Sequence, residues 1–265
     1  MATSQPDRSA LREFFTGAGL LGRGLGVVLS NPRLLGLGLL PALISGLLYA
    51  AALGTLIVFV DDLAAAVTWF ADDWSTLWRD LIRLVAGAAL LGLGGLLGVL
   101  TFTAVTLLIG DPFYEKISAV VENRYGGVPD EVEVPLLRSL GRSLRDSLRL
   151  IGLSIMLAIP LFIAGFLPVV GQTVVPVLGG AIGGWLLAVE LTGVPFQRRG
   201  KRLRDRRQAL RARRPLTLGF GVAVFGCFLI PLGAVLLMPA AVAGGALLSR
   251  KVLGLPADVV STPSL

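Results

Sequence analysis

Residues 150–189 read LIGLSIMLAIPLFIAGFLPVVGQTVVPVLGGAIGGWLLAV, 40 positions without one charged side chain. A spanning helix needs about 20 apolar residues to cross about 30 Å of hydrocarbon. Taking out the polar, Gly/Pro-broken turn at 168–173 leaves two arms of about 17 residues each. That is barely enough for two crossings and suits a hairpin that enters the bilayer and turns back. Backbone that is not helical survives at membrane depth only when buried in protein or facing a water-filled cavity. The stretch therefore marks a membrane protein and a place where something polar can pass.

The rest of the chain agrees. Hydrophobic residues make up 54% and charged residues 15%, with a mean hydropathy of +0.80. A water-soluble domain of 265 residues could not cover that much apolar surface. There is one cysteine, Cys227, so no intramolecular disulfide forms, and there is no histidine. His-dependent triads, His metal sites, thiolate clusters and the usual pH switch are all excluded. No nucleophile–base pair stands out, so the chain does not read as an enzyme, and no cofactor or metal is expected. Arg8, Arg12 and Glu13 precede an apolar stretch, but Arg23 interrupts it and no cleavage site follows, which argues against a signal peptide.

Two more charge-free runs, residues 34–60 and 84–110, are 27 residues each, about 40 Å as helix. Asn31-Pro32 is a helix-start signal for the first, and Pro41 can kink it. Gly94 and Gly98 in the second form a small-xxx-small pair that lets helices approach closely. Residues 1–30 read as an amphipathic, Gly-rich leading segment near the interface. Asp111-Pro112 is where the second span breaks and leaves the membrane, or else opens a charged vestibule. At 136–149, Leu136, Leu140, Leu144 and Leu148 oppose a stripe of Arg138, Arg142, Arg145 and Arg149, an amphipathic interfacial helix. Residues 215–249 form a last charge-free run of 35, broken by Pro231 and Pro239 into arms shorter still. The expected fold is an all-α integral membrane protein. It has two long transmembrane helices, two half-penetrating helical hairpins and amphipathic interfacial helices, in a single domain over 1–255 with a short tail at 256–265.

Charge placement gives orientation. Residues 197–214 hold ten basic side chains and one acid, whereas residues 61–83 hold five acids and two bases, with Trp69, Trp74 and Trp78 as an interfacial belt. The positive-inside rule puts both termini and the basic loop in the cytoplasm. Six full spans would satisfy the same parity; arm length favours hairpins. The net charge of +7 concentrates in that loop, which reads as a solvated helix touching anionic lipid heads and not as a nucleic-acid site. Gly17-Ala-Gly19-Leu-Leu-Gly22 matches a dinucleotide-binding string but follows no strand, so it is set aside.

Candidate functional residues fall in three places. The start of the first span, with Asn31, Arg33 and Leu34, offers a helix N-terminus suited to an oxyanion. The hairpin tip, with Gly171, Gln172 and Thr173, either lines a pathway or only caps the second arm. Asp111, Glu115 and Glu190 are the carboxylates that could carry a coupled proton; Glu190 reads as interfacial, paired with nearby arginines.

The turn FLPVVGQTVVPVL at 166–178 resembles that of the CysZ sulfate-transport family, also grouped with etoposide-induced-protein domains. Pro112-Phe113 followed by Glu122, Pro195-Phe196 before the basic loop, Leu218-Gly-Phe220-Gly221, and Ile230-Pro231 with Met238-Pro239 are similar in order and spacing. The resemblance covers residues 14–250. It implies two long spanning helices, two half-penetrating hairpins, an oligomer, and sulfate movement. The family's paired arginines after the position of Pro32 are here Leu35 and Gly36, leaving only Arg33 close by, and Tyr114 stands where the family has Asn. The expectation is a plasma-membrane anion transporter or channel of the sulfate type, supplying sulfate for assimilation, with the lipid bilayer, an inorganic anion and further copies of itself as partners. The alternative is a non-transporting multi-pass protein that organises lipid or partner proteins.

Overall fold

The computed structural model describes residues 6–128, 136–230 and 232–257, with side chains from Ser9 onward and backbone alone over 136–147. The arginine–leucine stripe up to Arg145, Pro231 and most of the C-terminal tail thus lie outside the described side chains; Leu148 and Arg149 lie within them. The described elements are helical, with no strand among them. In order they are α1 (Pro6–Leu29), α2 (Pro32–Val58), α3 (Val60–Val67), a 3-10 turn (Trp69–Ala71), α4 (Thr76–Arg124), α5 (Leu136–Gly165), α6 (Val170–Leu191), α7 (Gly193–Arg198), α8 (Leu203–Ala212), α9 (Arg214–Phe228) and α10 (Gly233–Val252). Five are long and apolar enough to cross a bilayer: α2, α4, the 148–165 part of α5, α6 and α10. The chain is an all-α, multi-pass membrane protein.

The expected start of the first span holds. Asn31 Oδ1 accepts a hydrogen bond from the Arg33 amide at 3.1 Å, and Pro32 opens α2, the arrangement of an N-cap followed by proline at the first helical position. The break expected at Asp111-Pro112 does not occur. α4 continues as helix through Pro112, 49 residues from Thr76 to Arg124. Proline costs one hydrogen bond there, but the helix beyond it has its own burial pattern. Tyr114, Ile117, Ser118, Val121, Glu122 and Tyr125 are all buried, at spacings of three and four that define one helical face.

The hairpins differ from expectation in length. In the first, the turn spans only 166–169, with Val169 at φ 70°. Helix resumes at once because the Gly171 amide bonds Leu167 O at 2.8 Å and the Thr173 amide bonds Val169 O at 3.0 Å. α6 is therefore 22 residues long, and arm length no longer decides between half-penetration and a full crossing for this pair. In the second, α9 is 15 residues, about 22 Å and short of the ~30 Å hydrocarbon core. Its partner α10 is longer than expected at 20 residues, because it continues through Pro239 and takes in Ser249, Arg250 and Lys251.

The chain divides into two compact units, Leu39–Asp111 and the remainder. In the first, α2 and α4 meet at the small residues picked out in sequence. A Cβ on Gly94 would lie 2.5 Å from Leu56 Cδ2, and Tyr49 Oη is 2.7 Å from Thr101 Oγ1. Trp69, Trp74 and Trp78 are exposed. In the second unit, α9 is the pivot, packed on α1 and α6, while α1 also packs on α10. The leading segment is thus a packed helix: Leu20, Val27 and Val28 are buried. Two glycine pairs allow backbone-to-backbone approach. A Cβ on Gly17 would lie 2.0 Å from Leu216 O and one on Gly219 1.9 Å from Phe14 O; a Cβ on Gly221 would lie 1.9 Å from Gly184 O. Gly17 of the GxGxxG string is a helix-packing residue.

Candidate anion site

Three helix ends in the second unit share one chemistry. α4 closes with the Gly127 amide on Glu122 O at 2.9 Å and the Gly126 amide on Asn123 O at 3.4 Å, with Gly126 at φ 106°. α7 closes with Lys201 on Phe196 O at 3.0 Å and Gly200 on Gln197 O at 2.8 Å, Gly200 at φ 67°. α10 closes with Leu255 on Arg250 O at 2.8 Å and Gly254 on Lys251 O at 3.2 Å, Gly254 at φ 71°. Each is a Schellman stop, which needs a residue at positive φ and takes glycine there. Helix C-termini carry partial negative charge and favour cations.

Arginines meet that demand. Arg250 is 3% exposed and spends its guanidinium on backbone carbonyls: Nε on Pro256 O at 2.7 Å, Nη1 on Gly127 O at 2.9 Å, and Nη2 on Tyr125 O. It ties the end of α4 to the end of α10. Glu122 is fully buried. Arg199 Nη1 donates to its Oε1 at 2.6 Å and to Pro195 O at 2.7 Å, and Arg198 Nη1 reaches its Oε2 at 3.3 Å. The Arg199 side chain is 8% exposed, and its Nη2 has no hydrogen-bond partner among the described residues. A third buried guanidinium, Arg206, lies with Nη1 2.6 Å from where a Cβ on Gly193 would sit. Arg199 and Arg198 thus pair with one carboxylate, and Arg250 lies within its electrostatic reach. Buried charge is tolerated when paired and hydrogen-bonded; here one planar fork, that of Arg199, has a donor to spare among the described residues. Such a fork suits an oxyanion.

The residues singled out from sequence lie elsewhere. Asn31, Arg33 and Leu34 form the start of α2. Pro32 has no N–H, and Asn31 takes the amides of Arg33 and Leu35, so an anion there would meet at most the Leu34 amide and the exposed Arg33 side chain. Leu34 itself is fully buried. Gly171 abuts Gly165, where a Cβ would lie 2.2 Å from its carbonyl oxygen. The Thr173 hydroxyl donates to Val169 O at 2.6 Å, and Gln172 is exposed. Asp111, Glu115 and Glu190 are all exposed, whereas Glu122 is the buried carboxylate. Two signals could have found it: a glutamate on the apolar face of a helical repeat, and Gly-Gly closing that helix two residues beyond Arg124. Among the described residues no three His, Cys, Asp or Glu side chains gather to hold a metal.

A family model described as Sulfate transporter CysZ/Etoposide-induced protein 2.4 matches residues 20–239. The chain belongs to this family. The matched residues run from within α1 into α10 and take in Glu122, Arg198 and Arg199; Arg250 lies beyond them. The CysZ/etoposide-induced description names a transporter, which agrees with a chain in which no catalytic pair was legible.

Proposed function

We propose that the protein is an anion transporter or channel of the cell membrane, moving sulfate inward for assimilation as a homo-oligomer, with both termini cytoplasmic. The observation that carries this is the arginine cluster at Glu122, above all the Nη2 of Arg199, which has no hydrogen-bond partner among the described residues. A tetrahedral dianion accepts several charge-assisted hydrogen bonds, and guanidinium forks supply them in a fixed plane. Arg33, exposed at the capped start of α2, is a second station, and the Gly171–Thr173 tip a third. Moving one charge against the membrane potential costs ~2.3 kcal/mol per 100 mV, so a dianion faces about 4.6. Net uptake then needs rapid consumption inside or coupled cations. With no histidine, a proton would ride on a carboxylate such as Asp111, Glu115 or Glu190.

Isothermal titration of sulfate into purified protein tests the stations. Losing one charge-assisted hydrogen bond weakens binding by roughly 1–3 kcal/mol, so Arg199→Gln or Arg33→Gln should show that loss, with Arg33→Lys milder because charge stays while the fork goes. Wild type that binds no sulfate at millimolar concentration contradicts the reading.

A further inference from the structure

The second unit contains a groove and a cavity lined by consecutive residues of α5. The groove, about 1170 Å³, lies between α5, α6 and α9. That exceeds the ~300–1,000 Å³ usual for small-molecule pockets. Its walls are apolar, among them Leu161, Phe162, Leu186 and Phe228; the side chains that break the pattern are Ser154 and Glu190. The Ser154 hydroxyl is spent on Leu150 O at 2.8 Å. The groove's wall residues Ile151 and Phe162 are exposed, on a helix of spanning length, where the surrounding solvent is acyl chain. Its wall includes Leu150 and Ile151. The residue just before them, Arg149, lines the second space, a cavity of about 590 Å³ shared with Arg204, Arg207, Gln208 and Arg211.

That cavity is strongly basic. Arg204, Arg207 and Arg211 recur at three and four on α8, so they share one face, with Leu210 and Arg206 buried. Asp205 makes no ion pair with them among the described residues; its Oδ2 accepts the Arg202 amide at 2.9 Å at the start of α8. None of the four cavity arginines has an ion pair among the described residues. An apolar groove at spanning depth, followed along consecutive residues 149–151 by four guanidiniums, has the polarity profile of one amphiphile.

We propose that groove and cavity together form a binding site for one anionic phospholipid. The acyl chains lie along α5, α6 and α9, and the phosphate sits among Arg149, Arg204, Arg207 and Arg211. The site is separate from the Glu122 cluster and does not rest on the transport reading. Basic pockets beside spanning helices are a recurrent headgroup site. What distinguishes this one is the matching apolar channel, which selects a lipid over a free anion.

The test is native mass spectrometry of the full-length protein, released from vesicles of equal parts phosphatidylglycerol and phosphatidylcholine. Wild type should retain phosphatidylglycerol in preference. Each arginine removed should lower that retention about fivefold, so the Arg204→Gln/Arg207→Gln pair should lose the preference. Ala158→Trp, which fills the groove from an exposed wall position, should cut retention of both lipids while leaving the melting temperature in place. Equal retention of the two lipids by wild type overturns the proposal. So does displacement of the lipid by soluble glycerol phosphate or sulfate at similar molar concentration, which would make the cavity a free-anion site. Sulfate flux measured in the same vesicles reports on transport independently.

Discussion

Glu122 and Arg199 are 77 positions apart and meet in a hydrogen-bonded ion pair of 2.6 Å, with the carboxylate fully buried and the guanidinium nearly so. Burying such a pair gains little over an apolar packing, but breaking it is costly because a charge is left unpaired. Replacing Glu122 with Gln removes the charge that Arg199 Nη1 holds at 2.6 Å and that Arg198 Nη1 reaches at 3.3 Å. The expected destabilisation is about 3–5 kcal/mol, read as a large drop in the melting temperature of the detergent-solubilised protein. Asp80→Asn, which removes an exposed pair at 3.8 Å from Arg79, should cost less than about 1 kcal/mol. Equal effects would mean the Glu122 pair carries no special structural weight.

The helix packing in the second unit makes a sharp prediction about two glycines two residues apart. A Cβ at Gly17 would collide with the Leu216 carbonyl, whereas one at Gly19 meets nothing within 4 Å. Gly17→Ala should push α1 off α9 and lower the melting temperature. Gly19→Ala should be neutral or raise it, since alanine is favoured over glycine in a helix by about 1 kcal/mol. If the two substitutions behave alike, the close approach of α1 and α9 is not as described.

Orientation is checked by labelling. In a Cys227→Ala background, single cysteines at Ser75 and Gln208 should react from opposite sides of intact cells, Ser75 from outside. The acidic 61–83 segment against the ten basic residues of 197–214 is the basis. Labelling of both from one side would remove the orientation.

The depth of the first hairpin is checked the same way. A half-penetrating α5–α6 pair shields residues 168–173 from outside reagents. Rapid labelling of Val170 from outside would mean two full crossings, which the 22-residue length of α6 permits.

The spans were legible because hydropathy is a local property: Leu34 to Val60 and Leu84 to Gly110 are charge-free runs of spanning length; α2 holds the first as far as Val58 and α4 contains the second. The capped start at Asn31 was legible for the same reason. Pro112 misled because a proline is a local signal, while the continuation of α4 depends on a buried face at Tyr114, Ile117, Ser118 and Val121. The turn expected at 168–173 misled likewise, where the Thr173 hydroxyl and the Gly171–Gly165 contact let the helix resume early. The Glu122 cluster draws on α4, the end of α7 and the end of α10, so no single stretch displays it. The resemblance did pass through Glu122 and Pro195-Phe196, but without the pairing to Arg198 and Arg199.

Sulfate flux into proteoliposomes tests the central claim most directly. Purified wild type, reconstituted with a potassium gradient and valinomycin, should admit sulfate faster than protein-free vesicles. An inside-positive potential should accelerate entry, since a dianion gains about 4.6 kcal/mol per 100 mV in that direction. Arg199→Lys, which keeps the charge beside Glu122 but loses the fork, should fold and carry sulfate more slowly. Flux no greater than in empty vesicles at either polarity, from protein that remains folded, would contradict the account.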